Sequence, residues 1–181
     1  MTLTIASVNV NGIRAACKQR NENNPGMNAW LEETPADIVL MQEVRATPEQ
    51  AEKALAPALE EGWHLALADA AAKGRAGVGI LSRTPLADVE VGFGSFTDAG
   101  RWIAATTRDI RVASLYLPSG DTGSPKLDEK YRFLDEFQEV LAENAAHTNS
   151  DGSPADMVIG GDWNICHRAQ DLKNNKANEK K

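Results

Sequence analysis

The sequence predicts an α/β fold built on mixed or antiparallel sheets, and three observations carry that prediction. Short apolar or alternating runs of strand length recur from one end of the chain to the other. Helical patterns lie between some of these runs but not between all of them. Where no helix intervenes, the runs follow one another through turns as short as Arg83-Thr-Pro and Arg108-Asp, which a purely alternating strand–helix wind does not contain.

The strand runs are residues 3–10, 37–42, 63–69, 77–82, 88–91, 102–107, 110–116 and 157–160. Thr47-Pro-Glu-Gln50 opens a helix with an N-cap, a proline at the first helical position and a capping-box glutamine. Ala51, Ala54, Leu55 and Ala58 share one face of it, and Pro57 is expected to kink or end it. A second helix starts near Ser124-Pro125. Leu127, Tyr131, Leu134, Gln138 and Leu141 follow at spacings of three and four, and the four apolar ones are expected to be its buried stripe. Residues 21–26 and 144–154, rich in Asn, Ser, Gly and Asp, read as loops.

The 181 residues, 42% hydrophobic and 25% charged, suit one soluble domain with a sizeable core. No apolar run approaches bilayer length. The N-terminal stretch lacks the basic start and small-residue cleavage site of a secretory signal. A cytoplasmic protein with no membrane partner is expected, with Cys17 and Cys166 as free thiols. The formal charge of −7 taken alone argues against nucleic acid. A local basic rim and a bound cation can serve an otherwise acidic enzyme, so the bulk charge excludes little.

Polar residues stand where strands end. In Ser7-Val-Asn-Val-Asn-Gly12, Asn9 and Asn11 share a face. Leu40-Met-Gln-Glu43 ends in a carboxylate, Tyr116 closes a strand before Pro118, and Ile159-Gly-Gly-Asp-Trp-Asn164 runs into Asp162 and Asn164. Each has a plain reading. Asn11-Gly12 is a common turn signal, a Gln-Glu at a strand end is usually solvated, and Tyr116 alone is a half-buried tyrosine. Gly160-Gly161 beside an acid and an amide points to a close backbone approach. Cys166 and His167 are adjacent, which is poor geometry for joint zinc ligation. The set is oxygen-rich, which suits a hard cation such as Mg²⁺, with Mn²⁺ as the alternative, and phosphoryl chemistry. There is no Ser-His-Asp arrangement and no phosphate-cradling glycine loop.

Four segments in order, Ser7-Val-Asn-Val-Asn-Gly-Ile-Arg-Ala15, Gln42-Glu43, Tyr116-Leu-Pro118 and Gly161-Asp-Trp-Asn164, resemble the exonuclease III family of abasic-site DNA endonucleases. Gly77-Val-Gly-Ile-Leu-Ser-Arg83, Gly100-Arg101 and Asp171-Leu-Lys173 fit the same family. The resemblance implies a four-layer, DNase I-like sandwich of two mixed sheets flanked by helices, with the second sheet incomplete. It implies Mg²⁺ at Glu43, with Asn9 in or beside its shell and Asn11 less directly placed. Asp162 would orient or deprotonate the attacking water, Asn164 would hold that water or the phosphate, and Tyr116 would bond a phosphate oxygen. Arg14, Lys18, Arg75, Arg101 and Ser119 would meet the DNA backbone. The implied activity is incision 5′ of abasic sites in duplex DNA with 3′-end trimming, by a protein monomeric at full length. A phosphohydrolase for other phosphate esters and a catalytically silent DNA-binding remnant are the rival readings. The family continues past Asp-Leu-Lys with further strands, another aspartate and a Ser-Asp-His segment. Residues 1–181 are therefore expected to be a single domain lacking its C-terminal part, inactive on its own.

Overall fold

The computed structural model describes residues 2–72, 74–120, 123–148, 152–153 and 156–171. In chain order the elements are β1 (Ile5–Asn9), α1 (Ile13–Ala16), α2 (Met27–Glu33), β2 (Ile38–Gln42), α3 (Pro48–Ala54), α4 (Ala56–Glu60), β3 (His64–Ala68) and β4 (Val78–Ser82). There follow β5 (Ala87–Val91), β6 (Trp102–Thr107), β7 (Ile110–Tyr116), α5 (Pro125–Ala145) and β8 (Asp156–Asp162). Every strand run read from the sequence is a strand, with ends that agree to within two residues.

The strands form two sheets, ordered β1-β2-β4-β3 and β5-β6-β7-β8. Both are mixed. The β1–β2 and β7–β8 pairs are parallel and the rest antiparallel. The β6–β7 hairpin turns on Arg108 and Asp109, both at positive φ (53° and 59°), the conformation that matches strand twist in a two-residue turn.

Burial explains the sequence of β2, which is apolar without alternation because both faces are covered. Val39 and Met41 pack outward with Ile13, Leu31, Leu55 and Trp63 beneath α1–α4. Ile38 and Leu40 pack inward beside Ile80 of neighbouring β4 and against Ile103 and Val112 of the facing sheet. On the other side, Trp102, Ala104 and Leu115 meet Phe133, Phe137 and Val140 of α5. The result is helices, sheet, sheet, helix: the four-layer sandwich.

Several local expectations meet the structure differently. The Thr47 capping box forms, with Gln50 N–H donating to Thr47 Oγ1 (3.4 Å) and Thr47 N–H to Gln50 Oε1 (3.3 Å). The helix then breaks at Leu55, and Pro57 lies in the first turn of a separate α4. The stripe assigned to α5 is corrected. Tyr131 and Leu141 are exposed, and the buried residues are Phe133, Phe137, Val140 and Asn144. Two apolar stripes compete on this helix, and the aromatic one wins because Phe93, Phe96 and Trp102 ring it at centroid distances of 4.8–5.2 Å where they meet most closely. Asn144 belongs to the helix, not to a loop: its Oδ1 accepts from the buried Arg111 Nε at 2.7 Å. The helices α1 and α2 carry no expectation from the sequence. Among the described residues no helix is long and apolar enough to cross a membrane.

Candidate active site

Along the layer between the sheets, chemistry changes with position. Alternation puts Ile5, Ser7 and Asn9 of β1 on one face with Ile38, Leu40 and Gln42 of β2. The same rule puts Ile110, Val112, Ser114 and Tyr116 of β7 beside Asp156, Val158, Gly160 and Asp162 of β8. Apolar residues fill the middle of this layer, and polar ones follow toward the carboxyl ends of these four strands. Buried Gln42 ties the two sheets there: its Nε2 donates to Ser114 Oγ (3.0 Å), Leu40 O (3.1 Å) and Ser7 Oγ (3.3 Å). Ser114 Oγ in turn donates to Met41 O at 2.8 Å.

Beyond this polar tie the two sheets meet through one amide. Asn9 Nδ2 donates to Asp162 Oδ2 (2.9 Å) and to Glu43 Oε1 (3.1 Å). Asn9 Oδ1 accepts from Asn11 N–H (3.0 Å). Two carboxylates from opposite sheets therefore converge on a single nitrogen. The glycines before Asp162 make this approach possible. A Cβ on Gly160 would stand 2.7 Å from Leu40 Cδ1, and one on Gly161 would stand 2.2 Å from Leu115 O. The close backbone approach expected there is to the facing sheet and the neighbouring strand.

The loops carrying the site are held in left-handed conformations that side chains rarely adopt. Asn11 (φ 45°), Glu43 (54°), Arg45 (50°), Ala76 (46°) and Asn164 (46°) are five of the eight such non-glycine residues described. Hydrogen bonds fix them. Gly12 N–H donates to Glu43 O (2.7 Å), Val44 N–H to Gly77 O (2.9 Å) and Arg45 N–H to Ala76 O (3.0 Å). Asn164 N–H donates to Asp162 Oδ1 (3.0 Å) and its Nδ2 to Leu117 O (2.8 Å), while Lys130 Nζ caps Asn164 O at 2.7 Å. Asn11 and Gly12, both at positive φ, make a bend from β1 into α1 and not a hairpin turn, and the main-chain N–H of Asn11 donates to Asn9 Oδ1.

Tyr116 closes β7 beside both carboxylates. Burial first, then hydrogen bonding with Glu43 and the negative charges of Glu43 and Asp162, push its pKa up, with Arg101 opposing. Its phenol stays a donor at neutral pH. The Arg101 guanidinium sits 5.3 Å from the Tyr116 ring centre, donates to Tyr116 O (3.3 Å) and pairs with Glu129 (3.5 Å). With its side chain only 18% exposed, Arg101 props Tyr116. Ser119 is exposed, and its carbonyl accepts from Lys130 Nζ (3.3 Å). Arg14, Lys18 and Arg75 do come together, around two adjoining depressions: Arg14 and Arg75 line one, Arg14 and Lys18 the other.

Sequence reasoning does not reach Arg45 or Lys130. Arg45 lines both depressions and forms an ion pair with Glu43. Glu43 and Arg45 meet with both main chains at positive φ, so the Glu-x-Arg spacing does not signal the pair. Lys130 lies on α5 and carries no signal either. Of Asp171-Leu-Lys173, only Asp171 is among the described residues, where its Oδ2 accepts from Arg168 N–H at 2.9 Å.

The donors suit a hard divalent cation. Among the described residues no three His, Cys, Asp or Glu side chains cluster as a metal cage. Asp162 has no ion-pair partner among the described residues, and its carboxylate is met there by the N–H groups of Asn9 and Asn164. One or two carboxylates on an open rim is how Mg²⁺ is held, the shell being completed by water and phosphate oxygens. Zinc asks for four tighter N or S ligands.

Comparison with known proteins follows the same line. The sequence profile of the Endonuclease/Exonuclease/phosphatase family matches residues 6–180. An exodeoxyribonuclease of Bacillus subtilis is 28% identical over 178 residues, covering 97% of this chain and 64% of that protein. The DNA repair nuclease APEX1 of Danio rerio is 31% identical over 185 residues, covering 98% and 54%. An AP endonuclease from Archaeoglobus fulgidus superposes with a TM-score of 0.76 at 28% identity, over 96% of this chain and 64% of that one. The 3′ phosphatase NExo from Neisseria, solved bound to product DNA hairpin, gives 0.78 at 25% identity over 97% and 63%. The chain thus spans between about half and two thirds of the length of these relatives.

Proposed function

The chain belongs to the endonuclease/exonuclease/phosphatase family, and from that premise we propose that residues 1–181 are one domain of a DNA repair phosphodiesterase. On this reading it cuts duplex DNA 5′ of abasic sites and trims 3′ ends, with Mg²⁺ as cofactor and Mn²⁺ as substitute. The observation that supports it best is the Asn9 amide joining Glu43 and Asp162 from opposite sheets, beside a cleft lined by Arg14, Lys18 and Arg75. Phosphodiester attack needs a placed water, neutralised charge on the phosphoryl oxygens and a stabilised leaving oxygen.

Glu43 would hold the cation, with Asn9 at the edge of its shell. When bound, the cation supplies charge neutralisation on the phosphoryl oxygens and the leaving oxygen. Asp162 lies across Asn9 from Glu43 and would take the proton of the attacking water. Asn9 and the Asn164 N–H occupy one oxygen each of Asp162, which fixes the carboxylate's plane and leaves lone pairs for that water. Asn164, fastened by Leu117 and Lys130, frames the space beside it. The neutral Tyr116 hydroxyl would donate to a phosphate oxygen. The basic side chains of the cleft would hold the backbone and read no bases.

The test is Mg²⁺-dependent cleavage of a duplex carrying one abasic site, with Glu43→Ala and Asp162→Asn as variants and small phosphodiesters as competitors. Loss of cleavage in both variants, with the abasic duplex preferred, is the expected result. Unchanged rates in both would remove the site assignment. Duplex binding with no cleavage at high enzyme and metal would make the chain a binding module instead.

A further inference from the structure

The Arg45–Glu43 pair differs from the contacts of Arg111 and Arg83 in one respect. Arg111 is buried and held by Glu90, Asn144, the Asp88 carbonyl and Thr106. Arg83 donates to three carbonyls, of Leu31, Thr34 and Ala36, and lies 4.3 Å from the Trp63 ring centre. Among the described residues the Arg45 guanidinium has Glu43 and nothing else. Its side chain is 41% exposed, over a carboxylate that is 13% exposed. The main chain of both residues is locked at positive φ by the hydrogen bonds to Gly12, Ala76 and Gly77. Backbone geometry is therefore fixed while the long side chain can leave its partner without disturbing it.

We propose that Arg45 is an exchangeable counter-cation of Glu43, displaced by the divalent cation and released to a phosphate of the duplex, so that metal binding and DNA-backbone binding are coupled. The inference rests on the reading of Glu43 as the cation's ligand. A single-partner, half-open ion pair is worth little, so a divalent cation outcompetes it. The freed guanidinium is left with Arg14, Arg75 and Lys18 around the same depressions, where Asp69 is the acidic wall residue. Like charges repel there, and a phosphate offers the missing counter-charge and a bidentate fit to the fork. Because coupling is reciprocal, the duplex must also tighten the cation.

The test is a Mn²⁺ titration followed by electron paramagnetic resonance on the full chain. It is run without and with a duplex that lacks abasic sites and has blocked 3′ ends. Arg45→Gln should bind Mn²⁺ about two- to five-fold more tightly than the wild type without DNA. Adding duplex should tighten Mn²⁺ more for the wild type than for Arg45→Gln, where only direct phosphate ligation remains, while Arg45→Lys restores part of the difference and stands in should the glutamine variant fail to fold. Unchanged or weaker Mn²⁺ binding in Arg45→Gln, or equal tightening by duplex in both proteins, overturns the proposal. Glu43→Gln separates the two readings. If it abolishes Mn²⁺ binding while Arg45→Gln changes nothing, only the exchange fails; if Mn²⁺ still binds Glu43→Gln, the assignment of Glu43 fails and takes the exchange with it.

Discussion

The space between the two sheets has an apolar stretch, its dry end, closed at the far edge by a buried Ser82–Thr107 hydrogen bond (3.2 Å), and a wet end. At the dry end Ile38, Leu40, Ile80, Ile103 and Val112 interdigitate with no polar atom to satisfy. At the wet end β2 and β7 present Gln42 and Ser114, then β1 and β8 present Asn9 and Asp162, with Glu43 just past β2. Within the strands the backbone is the same kind of ladder throughout, so there the difference lies in the side chains. The dry end supplies the free energy that holds the sheets face to face. The wet end spends some of it, keeping two carboxylates close together and five residues in left-handed conformations. Stability and chemistry are thus separated by a few residues along single strands, and substitutions at the two ends should fail in different ways.

The largest effect is expected from Asp162→Asn. Loss of a general base costs between about a hundred- and ten-thousand-fold in rate, or near 4 kcal/mol of barrier at a thousand-fold. The variant's single carboxamide oxygen can accept from Asn9 or from Asn164 but not from both, so about one hydrogen bond is lost and the thermal midpoint should fall by only a few degrees. A comparable loss of rate together with collapse of the midpoint would show that the two ends are not separable. Ile80→Ala is the opposite experiment. It empties a fully buried site between the sheets and should cost about 2–5 kcal/mol in denaturant unfolding. Cleavage per folded molecule should be unchanged; a drop there would mean that dry-end packing positions the carboxylates.

Gln42 lies on the boundary and should show both kinds of failure in smaller amounts. Gln42→Leu keeps the volume and removes three hydrogen bonds, leaving Ser7 without its partner on β2. The expected cost is about 1–3 kcal/mol of stability. A modest loss of rate should accompany it, since the strand that ends at Glu43 is no longer tied to β7. Measuring both on one variant places the boundary: stability loss alone assigns Gln42 to the core, and rate loss alone to the site.

How far these features are legible from sequence follows the same division. The strands can be read because a strand covered on both faces, such as Ile38–Gln42, leaves an unbroken apolar run. The polar strand ends are visible because they interrupt such runs. What escapes depends on three-dimensional placement. The helix α1 is a single turn entered through Gly12 at φ 98°, and α2 starts at Gly26 with no side-chain cap, so neither announces itself. The choice between two stripes on α5 is made by Phe93, Phe96 and Trp102, which arrive from other elements. Arg45 meets Glu43 through an ion pair made where both main chains are left-handed, which no propensity reports.

The smallest effect expected is at Tyr116, and its pH dependence carries the information. Burial, hydrogen bonding with Glu43 and two nearby carboxylates raise the phenol above its ordinary value of 10.0. The sign follows directly. The folded protein holds this proton more tightly than the unfolded chain does, so the contribution to stability is full below pH 10 and declines as pH rises above it. Below that range the hydroxyl is always a donor. Tyr116→Phe should therefore slow cleavage about tenfold, the loss of one hydrogen bond to a charged oxygen, by the same factor from pH 6.5 to 9.5. Were the phenol acting as an ionised base, the ratio of wild-type to Tyr116→Phe rates would climb with pH across that window. A flat ratio keeps Tyr116 as a phosphate donor and leaves Asp162 as the base at the wet end.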